Sequence, residues 1–367
     1  MYSQNDLDEA VAAGALSADA ATALRSFVEQ QRALPAVDEE HFRLITGFND
    51  IFVAIASAIL LFAVGWIGQS IGQSMGLSIE FDGPSPLAPL GIAATAWGLA
   101  LFFTARRRMA LPSIMLLLAF VGAVFAAVGF TLVLAVGEAP AEQQPLYGGI
   151  IASVAGAVAA AAAWLHWKQF RVPITVAAGA AAVAAIAVGL LIAVFGDPAT
   201  YQNLLWGFVL LLGIGVFLFA MRWDSSDPAR VTRRSDVAFW LHLLAAPMIV
   251  HPVFTLLGLN DGTATIGEGL IVIALYVALG LTALAIDRRA LLVSALAYVL
   301  YALSELFKQV GAVELNIALT ALVIGSALLL LSAFWHQARS VVVRALPAGI
   351  QARLPYLERE AIPAPAA

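Results

Sequence analysis

Ionisable side chains inside long apolar segments are the residues of this sequence that point most directly to chemistry. The seventh long apolar segment contains two histidines, and the ninth contains a glutamate and a lysine three residues apart. A charge near the centre of a membrane-spanning helix costs about 2.5–3.5 kcal/mol on insertion scales, so such residues tend to be kept for a function. The candidates for contact with a substrate or a proton are His251, Glu305, His242, Lys308 and, where the first apolar segment begins, Asp50.

Each of these candidates also has a structural explanation, which the sequence leaves open. Asp50 at the start of a helix would stabilise the helix dipole. Glu305 and Lys308 share one helical face and can pair, and these two residues and His251 would also be explained by closeness to water at the outer side. His242 is compatible with a buried histidine that bonds a backbone carbonyl.

Two prolines, Pro247 and Pro252, interrupt the segment that carries both histidines. Proline removes a backbone hydrogen bond and kinks a helix, and broken helices line cavities in many transporters. Simple structural kinks are equally common. On an ideal helix, His242 and His251 lie about 13.5 Å apart along the axis and on nearly opposite faces. The two rings cannot hold one metal ion, and we expect no metal site.

Sequence motifs of catalysis and of cofactor binding are missing. The chain has no HExxH, no glycine-rich phosphate loop ending in Lys-Ser/Thr, no GxSxG and no cysteine. The lack of cysteine excludes disulfides, cysteine-ligated zinc, iron–sulfur clusters and thiol nucleophiles. We therefore expect a protein that is not an enzyme and that holds no cofactor.

The composition is that of a membrane protein. Of the 367 residues, 62% are hydrophobic and 12% are charged, against about 45–50% and 25% in soluble domains. The formal net charge of −5 offers no basic excess for nucleic acid. About 20 apolar residues cross a bilayer as a helix, which predicts an all-α, polytopic fold with about ten transmembrane helices. The predicted spans are 50–68, 87–104, 112–136, 147–165, 173–195, 203–221, 237–257, 266–286, 290–308 and 314–335.

The positions of lysine and arginine predict the orientation. With the N-terminus inside and ten spans, every Lys and Arg except Lys308 falls in a segment predicted to face the cytoplasm. Cytoplasmic loops are enriched in these residues. We therefore predict a multi-pass protein of the cell inner (plasma) membrane with both termini in the cytoplasm.

The chain divides into three predicted parts: a cytoplasmic helical hairpin (1–48), a transmembrane domain (49–335) and an amphipathic and disordered cytoplasmic tail (336–367). In the hairpin, Asp6 and Ser17 are predicted N-caps, and Gly14 is a predicted helix stop. A hairpin of this size needs a partner for stability, so the inner face of the membrane domain, a second copy or a cytoplasmic protein is expected to bind residues 6–33. A solvated tail with a helix-forming stretch is the alternative.

Small residues predict where helices pack closely. Gly68, Gly72 and Gly76 form a small-xxx-small series at the end of the first span, and the fourth and fifth spans are rich in alanine (157–163 and 177–187). Such residues allow helix backbones to approach each other in lipid. We therefore expect tight contacts at both places.

The plan of the chain resembles uncharacterised polytopic bacterial inner-membrane proteins that carry a short helical cytoplasmic head. The resemblance rests on the head (Leu7–Val28), on the sequence Gly47-Phe48-Asn49-Asp50 and on the seventh span, and it implies no assigned activity. In the number of spans and in length, the chain is also similar to the drug/metabolite transporters.

Two functional hypotheses follow from these features. The first is a transporter-like or permease-like protein for a small solute, because ionisable groups lie in the seventh and ninth spans and prolines interrupt the seventh. The second is a non-transporting scaffold or sensor whose N-terminal hairpin recruits a partner. The expected partners are the lipid bilayer and, for the first hypothesis, a small solute.

Overall fold

The computed structural model describes residues 11–33, 48–80, 82–228, 230, 232–258, 266–309, 315–351, 354–355 and 357. Contacts divide the chain into two compact units. One comprises Met1–Phe42 with Tyr356–Ala367, and the other comprises Arg43–Pro355.

The first unit contains helix α1 (Ala18–Ala33). The hydroxyl of Ser17 accepts a hydrogen bond from the Ala20 amide at 3.2 Å, which is the geometry of an N-cap. Gly14 ends the preceding turn with a positive φ of 72°, a conformation that glycine adopts without strain. The predicted stop and the second cap are therefore found, whereas the predicted Asp6 cap lies outside the described residues.

In the second unit, each of the ten predicted segments contains one long helix. The helices are α2 (Phe48–Ser74), α3 (Leu87–Phe103), α4 (Ala110–Val136), α5 (Gln144–Phe170), α6 (Ile174–Phe195), α7 (Gln202–Ser225), α8 (Arg233–Leu256), α9 (Ile266–Ile286), α10 (Ala290–Gln309) and α11 (Asn316–Ala333). Two shorter helices follow, α12 (Trp335–Ala345) and α13 (Ala348–Gln351).

Seven of the described helices are long and apolar enough to cross a membrane: α2, α4, α5, α6, α7, α8 and α9. Helices α11 and α12 meet at an angle of 76° and together form an eighth candidate. Helix α3 and the segment Leu292–Ser304 of α10 are apolar but shorter. The chain is thus an all-helical, multi-pass membrane protein in its described part, and the number of ten spans stays a prediction.

Close packing of α5 on α6 depends on small residues, as the sequence predicted. A Cβ atom at Gly189 would lie 2.6 Å from the carbonyl oxygen of Gly149. The hydroxyl of Ser153 lies between the same helices and bonds the carbonyls of Gly149 at 2.8 Å and Ile186 at 3.2 Å. Backbones that approach this closely gain dispersion contacts, which drive helix association in lipid.

The predicted contact at the glycine series of α2 is also present. A Cβ atom at Gly68 would lie 2.6 Å from the Leu87 carbonyl oxygen at the start of α3. Between these glycines and α3, the Gln69 side chain donates to the Gly83 carbonyl and accepts from the Ser85 amide, both at 2.8 Å. Gly76 has a different role, because its φ of +70° places it in a turn after the helix.

The cationic turns of the second unit lie at one end of the helices. Phe103 at the end of α3 and Phe170 at the end of α5 pack on one apolar cluster. A second cluster joins Trp167 of α5 to Val237 near the start of α8. These contacts bring the ends of α3 and α5 and the start of α8 together, and the predicted topology stays a prediction. We call this end the arginine-rich end, and its predicted location is the cytoplasmic side.

Candidate functional site

A buried ion pair joins the end of α7 to the turn between α9 and α10. Asp224 is 1% exposed and Arg288 is 2% exposed. The Asp224 Oδ1 atom lies 2.6 Å from Nη2 of Arg288. The same Nη2 donates to the Ser235 carbonyl in the first turn of α8 at 3.0 Å. One guanidinium thus connects three helices, and its charge is balanced by a carboxylate that water does not reach.

His242 bonds the same carboxylate from α8. Its Nε2 atom lies 2.9 Å from the Asp224 Oδ2 atom, and both side chains are fully buried. A neutral imidazole in this position carries its proton on Nε2 and donates it to the carboxylate, a tautomer inferred from the bond. The Nδ1 atom is buried and has no hydrogen-bond partner among the described residues. Asp224 is therefore shared by a permanent cation and by a group that can gain a proton.

The turn between α7 and α8 is built around Asp227. Its Oδ2 atom accepts hydrogen bonds from the Thr232 amide at 2.9 Å and hydroxyl at 2.7 Å. The Thr232 hydroxyl in turn accepts from the Arg234 amide and caps α8. Within this turn Arg230 adopts a positive φ of 55°. The tight turn directs the Arg230 guanidinium to the end of α9.

Arg230 caps α9 and binds the aspartate that follows it. Its Nη2 atom donates to the Ile286 carbonyl at 3.0 Å, and its Nη1 atom lies 2.8 Å from Asp287 Oδ2. The last carbonyls of a helix have no partner within the helix, and a cation there also favours the helix dipole. Arg230 therefore satisfies both the helix end and the carboxylate.

Asp287 extends the network to the bent helix α12. Its Oδ1 atom accepts a hydrogen bond from Trp335 Nε1 at 2.7 Å and lies 3.7 Å from Arg339 Nε. Burial alone would raise the pKa of Asp287, but the charges of Arg230 and Arg339 and the Trp335 bond outweigh burial and hold that pKa below its usual value. The carboxylate is therefore ionised at neutral pH.

Together these groups form one ionic network, composed of Asp224, Arg230, His242, Asp287, Arg288, Trp335 and Arg339. It ties the α7–α8 turn, the α9–α10 turn and α12 to one another at the arginine-rich end. No cluster of three or more acidic, histidine or cysteine residues suited to a metal occurs in the described ranges. The network can hold helices in register.

A second polar contact lies further along α8. The His251 Nδ1 atom hydrogen-bonds the Tyr298 hydroxyl of α10. Trp206 of α7 contacts the imidazole edge to face, with ring centroids 4.7 Å apart. Phe254, one turn along α8, stacks on Tyr298 at 4.3 Å. His251 therefore joins three helices through polar and aromatic contacts.

The predicted site residues fall into three groups. His242 and His251 each bond a side chain on another helix, but the partner of His242 is Asp224 and that of His251 is Tyr298. His242 bonds a carboxylate rather than the backbone carbonyl that was the alternative. Asp50 lies buried in the first turn of α2 and is not one of the network residues. The side chains of Glu305 and Lys308 lie outside the described residues.

Sequence reasoning missed most of the network. It used Arg230 and Arg288 only as indicators of orientation, and it did not single out Asp224 or Asp287. The available signal is that both aspartates lie at the end of an apolar segment within a few residues of arginines. A carboxylate beside a cationic turn indicates an ion pair. Such a pair is able to become buried together with the turn.

A further buried histidine, His166 of α5, was also not singled out. Its ring is fully buried and lies among Trp97, Phe120 and Phe170, with centroid distances of 6.0, 6.0 and 4.5 Å. The Thr175 hydroxyl lies 3.4 Å from Nδ1. The surroundings are apolar apart from this hydroxyl, which favours a neutral ring that joins α3, α4 and α5.

Comparison with known proteins gives no further information on this site. No family model, curated protein or solved structure matches the chain. The function is therefore argued from the membrane helices and from the contacts of their polar residues.

Proposed function

We propose that this chain is a transporter-like membrane protein that moves a small solute, with α8 as the helix that carries the polar groups of the path. The supporting observation is that α8 bonds other helices through His242 and through His251. Half of the most apolar stretch of α8 is buried, against 11–39% for the six other described helices that are long enough to cross a membrane. Polar residues on the most enclosed helix are the ones that a transport path would use.

Proton movement would be coupled to helix movement through Asp224. A proton on His242 places a second cation on a carboxylate that already pairs with Arg288. The resulting competition changes how strongly α8 is held to α7 and to the α9–α10 turn. Pro247 lies between the two histidines and leaves a backbone carbonyl of α8 without its helical partner, so a bend there costs little.

Proteoliposomes that contain a pH-sensitive dye provide the test. The wild-type protein is exposed in turn to amino acids, sugars, organic acids and organic amines. At least one class should cause a solute-dependent change in internal pH, which His251→Ala and His242→Gln should abolish. Glu138→Gln, an exposed carboxylate before α5, is the control and should retain the response. A folded wild-type protein that moves none of these solutes would contradict the proposal.

The rival function, a scaffold or sensor, draws support from the N-terminal unit. Helix α1 is capped by Ser17, and Ala21 on it is completely buried, whereas the residues on either side of Ala21, from Ala18 to Leu24, are exposed. Deleting residues 1–45 distinguishes the two functions. A transporter should retain solute flux, whereas a scaffold should lose its partner in a pull-down from detergent extracts.

A further inference from the structure

A groove at the arginine-rich end shares Trp335 with the ionic network but has no part in the proposed path. It is a cavity of about 140 Å³ between α9, α10 and α11. Its lining includes Tyr276, Leu292, Leu296, Leu328, Arg289 and Trp335. The lining is mainly apolar, with the Tyr276 and Ser332 hydroxyls along the helices and one cation, Arg289.

The cation lies at the end of the groove where the helices end. Arg289 belongs to the α9–α10 turn, and its guanidinium carbon lies 4.7 Å from the centroid of the Trp335 ring. The Trp335 indole is fixed by its hydrogen bond to Asp287. Arginine and tryptophan at a helix end are typical of the membrane–water interface. The cationic end of the groove is thus at the predicted headgroup level.

The apolar part of the groove extends from that level along the helices. Leu328 lies five residues before the end of α11, and Tyr276 lies ten residues before the end of α9. At 1.5 Å per residue these offsets correspond to about 8 and 15 Å. The groove therefore runs from the interface towards the middle of the helical unit.

The groove opens towards the outer surface of the helices. Val293 on its rim is 65% exposed, and Leu329, next to lining residue Leu328, is 73% exposed. In a membrane protein, large apolar residues with this exposure face lipid chains. A ligand would thus enter the groove from the bilayer.

We propose that this groove binds one anionic phospholipid, with part of an acyl chain between α9, α10 and α11 and the phosphate at Arg289. An apolar cavity of about 150 Å³ stays dry and accepts a hydrocarbon of benzene size, so the groove fits a stretch of acyl chain. A basic residue between helices at the cytoplasmic side favours an anionic headgroup. The lipid would contact α9, α10, α11 and the bend before α12.

Native mass spectrometry of protein released from nanodiscs with equal amounts of phosphatidylcholine and phosphatidylglycerol tests the site. The wild-type protein should retain phosphatidylglycerol after phosphatidylcholine has dissociated. Arg289→Gln should bring the ratio of the two retained lipids down to their ratio in the disc, whereas Arg289→Lys should preserve the preference. Val293→Phe, which fills the groove from its exposed rim, should reduce the retention of both lipids.

Arg222→Gln is the matched control, because Arg222 is an exposed arginine at the same end of the helices. It should leave lipid retention unchanged. The proposal is overturned if Arg289→Gln retains phosphatidylglycerol as the wild type does. Equal losses in Arg222→Gln and Arg289→Gln would also overturn it, since the effect would then be one of general surface charge.

Discussion

Asp224 and Arg288 are separated by 64 residues in the chain, yet their charged groups lie 2.6 Å apart and away from water. Helices α8 and α9 lie between them in sequence, so the contact requires these two helices to run in opposite directions. The pair also determines that the end of α7 meets the turn after α9, because few other arrangements of these helices bring the two charges together. It is the contact on which the geometry of the arginine-rich end depends most.

Removing the carboxylate should therefore destabilise the protein strongly. In Asp224→Asn, Arg288 stays buried without its counter-charge, and the loss of one partner of a buried pair costs about 3–5 kcal/mol. Unfolding in mixed micelles measures this change in free energy. The exposed control Glu138→Gln should differ from wild type by less than about 0.5 kcal/mol.

The double variant Asp224→Asn/Arg288→Met tests whether the two side chains stabilise the protein as a pair. Removing both charges leaves no unpaired ion, so its destabilisation should be smaller than the sum of the two single changes. Additive losses would mean that the two side chains act independently, in disagreement with their distance.

Acid should weaken the contact between the α9–α10 turn and α12. The pKa of Asp287 is below its usual value of 3.8 in the folded protein, so its stabilising contribution is complete above that pH and is lost as the pH falls through the folded pKa. Wild type should lose stability between about pH 5 and pH 3 more steeply than Asp287→Asn. Unfolding measured over a pH series gives both slopes, and equal slopes would exclude Asp287 as the titrating group.

The close approach of α5 and α6 should not tolerate an added methyl group at Gly189. The new Cβ atom would lie 2.6 Å from the Gly149 carbonyl oxygen and 2.9 Å from the Ser153 amide nitrogen. Both are backbone atoms that move only if a helix moves, so Gly189→Ala should cost about 1–3 kcal/mol. Thermal unfolding in detergent measures the loss.

Gly129→Ala is the control for that prediction. Gly129 lies inside α4, and a Cβ atom there would meet no atom within 4 Å. Its melting temperature should stay at the wild-type value or rise slightly, since alanine restricts the unfolded chain more than glycine does. A comparable loss in both variants would show that the close contact at Gly189 does not cause the effect.

The absence of cysteine permits a direct test of orientation. Three helices separate Gln143 from Ser226, and both residues are exposed, so the two should lie on opposite sides of the membrane. A membrane-impermeant maleimide should label Gln143→Cys in intact cells and Ser226→Cys only after permeabilisation. The reverse pattern would invert the predicted orientation, and labelling of both from one side would contradict the alternation of α5, α6 and α7.

The helices were predictable because apolar runs in a membrane have few alternatives to the helix. The ends of the helices were less predictable. The predicted span 50–68 continues to Ser74 in α2, because Gly68 and Gly72 mark contacts with the α2–α3 turn and the start of α3 rather than a helix end. The predicted span 147–165 continues to Phe170 in α5, where Lys168 Nζ lies 3.8 Å over the Trp164 ring.

The site was predictable only in part. His242 and His251 were conspicuous because they interrupt apolar sequence. Asp224 and Asp287 were not, since charges at helix ends are ordinarily solvated and carry no mark of burial. The arginines close to them in sequence could have indicated an ion pair, but the turns that bury the two aspartates come from distant parts of the chain.

The long separation of Asp224 and Arg288 has a consequence for biosynthesis. A ribosome adds about 5–20 residues per second, so Arg288 follows Asp224 after roughly 3–13 seconds. During this interval the carboxylate has neither its cation nor the α9–α10 turn that covers it. The final closure of this end is therefore a late step of assembly, completed after α8 and α9 have entered the bilayer.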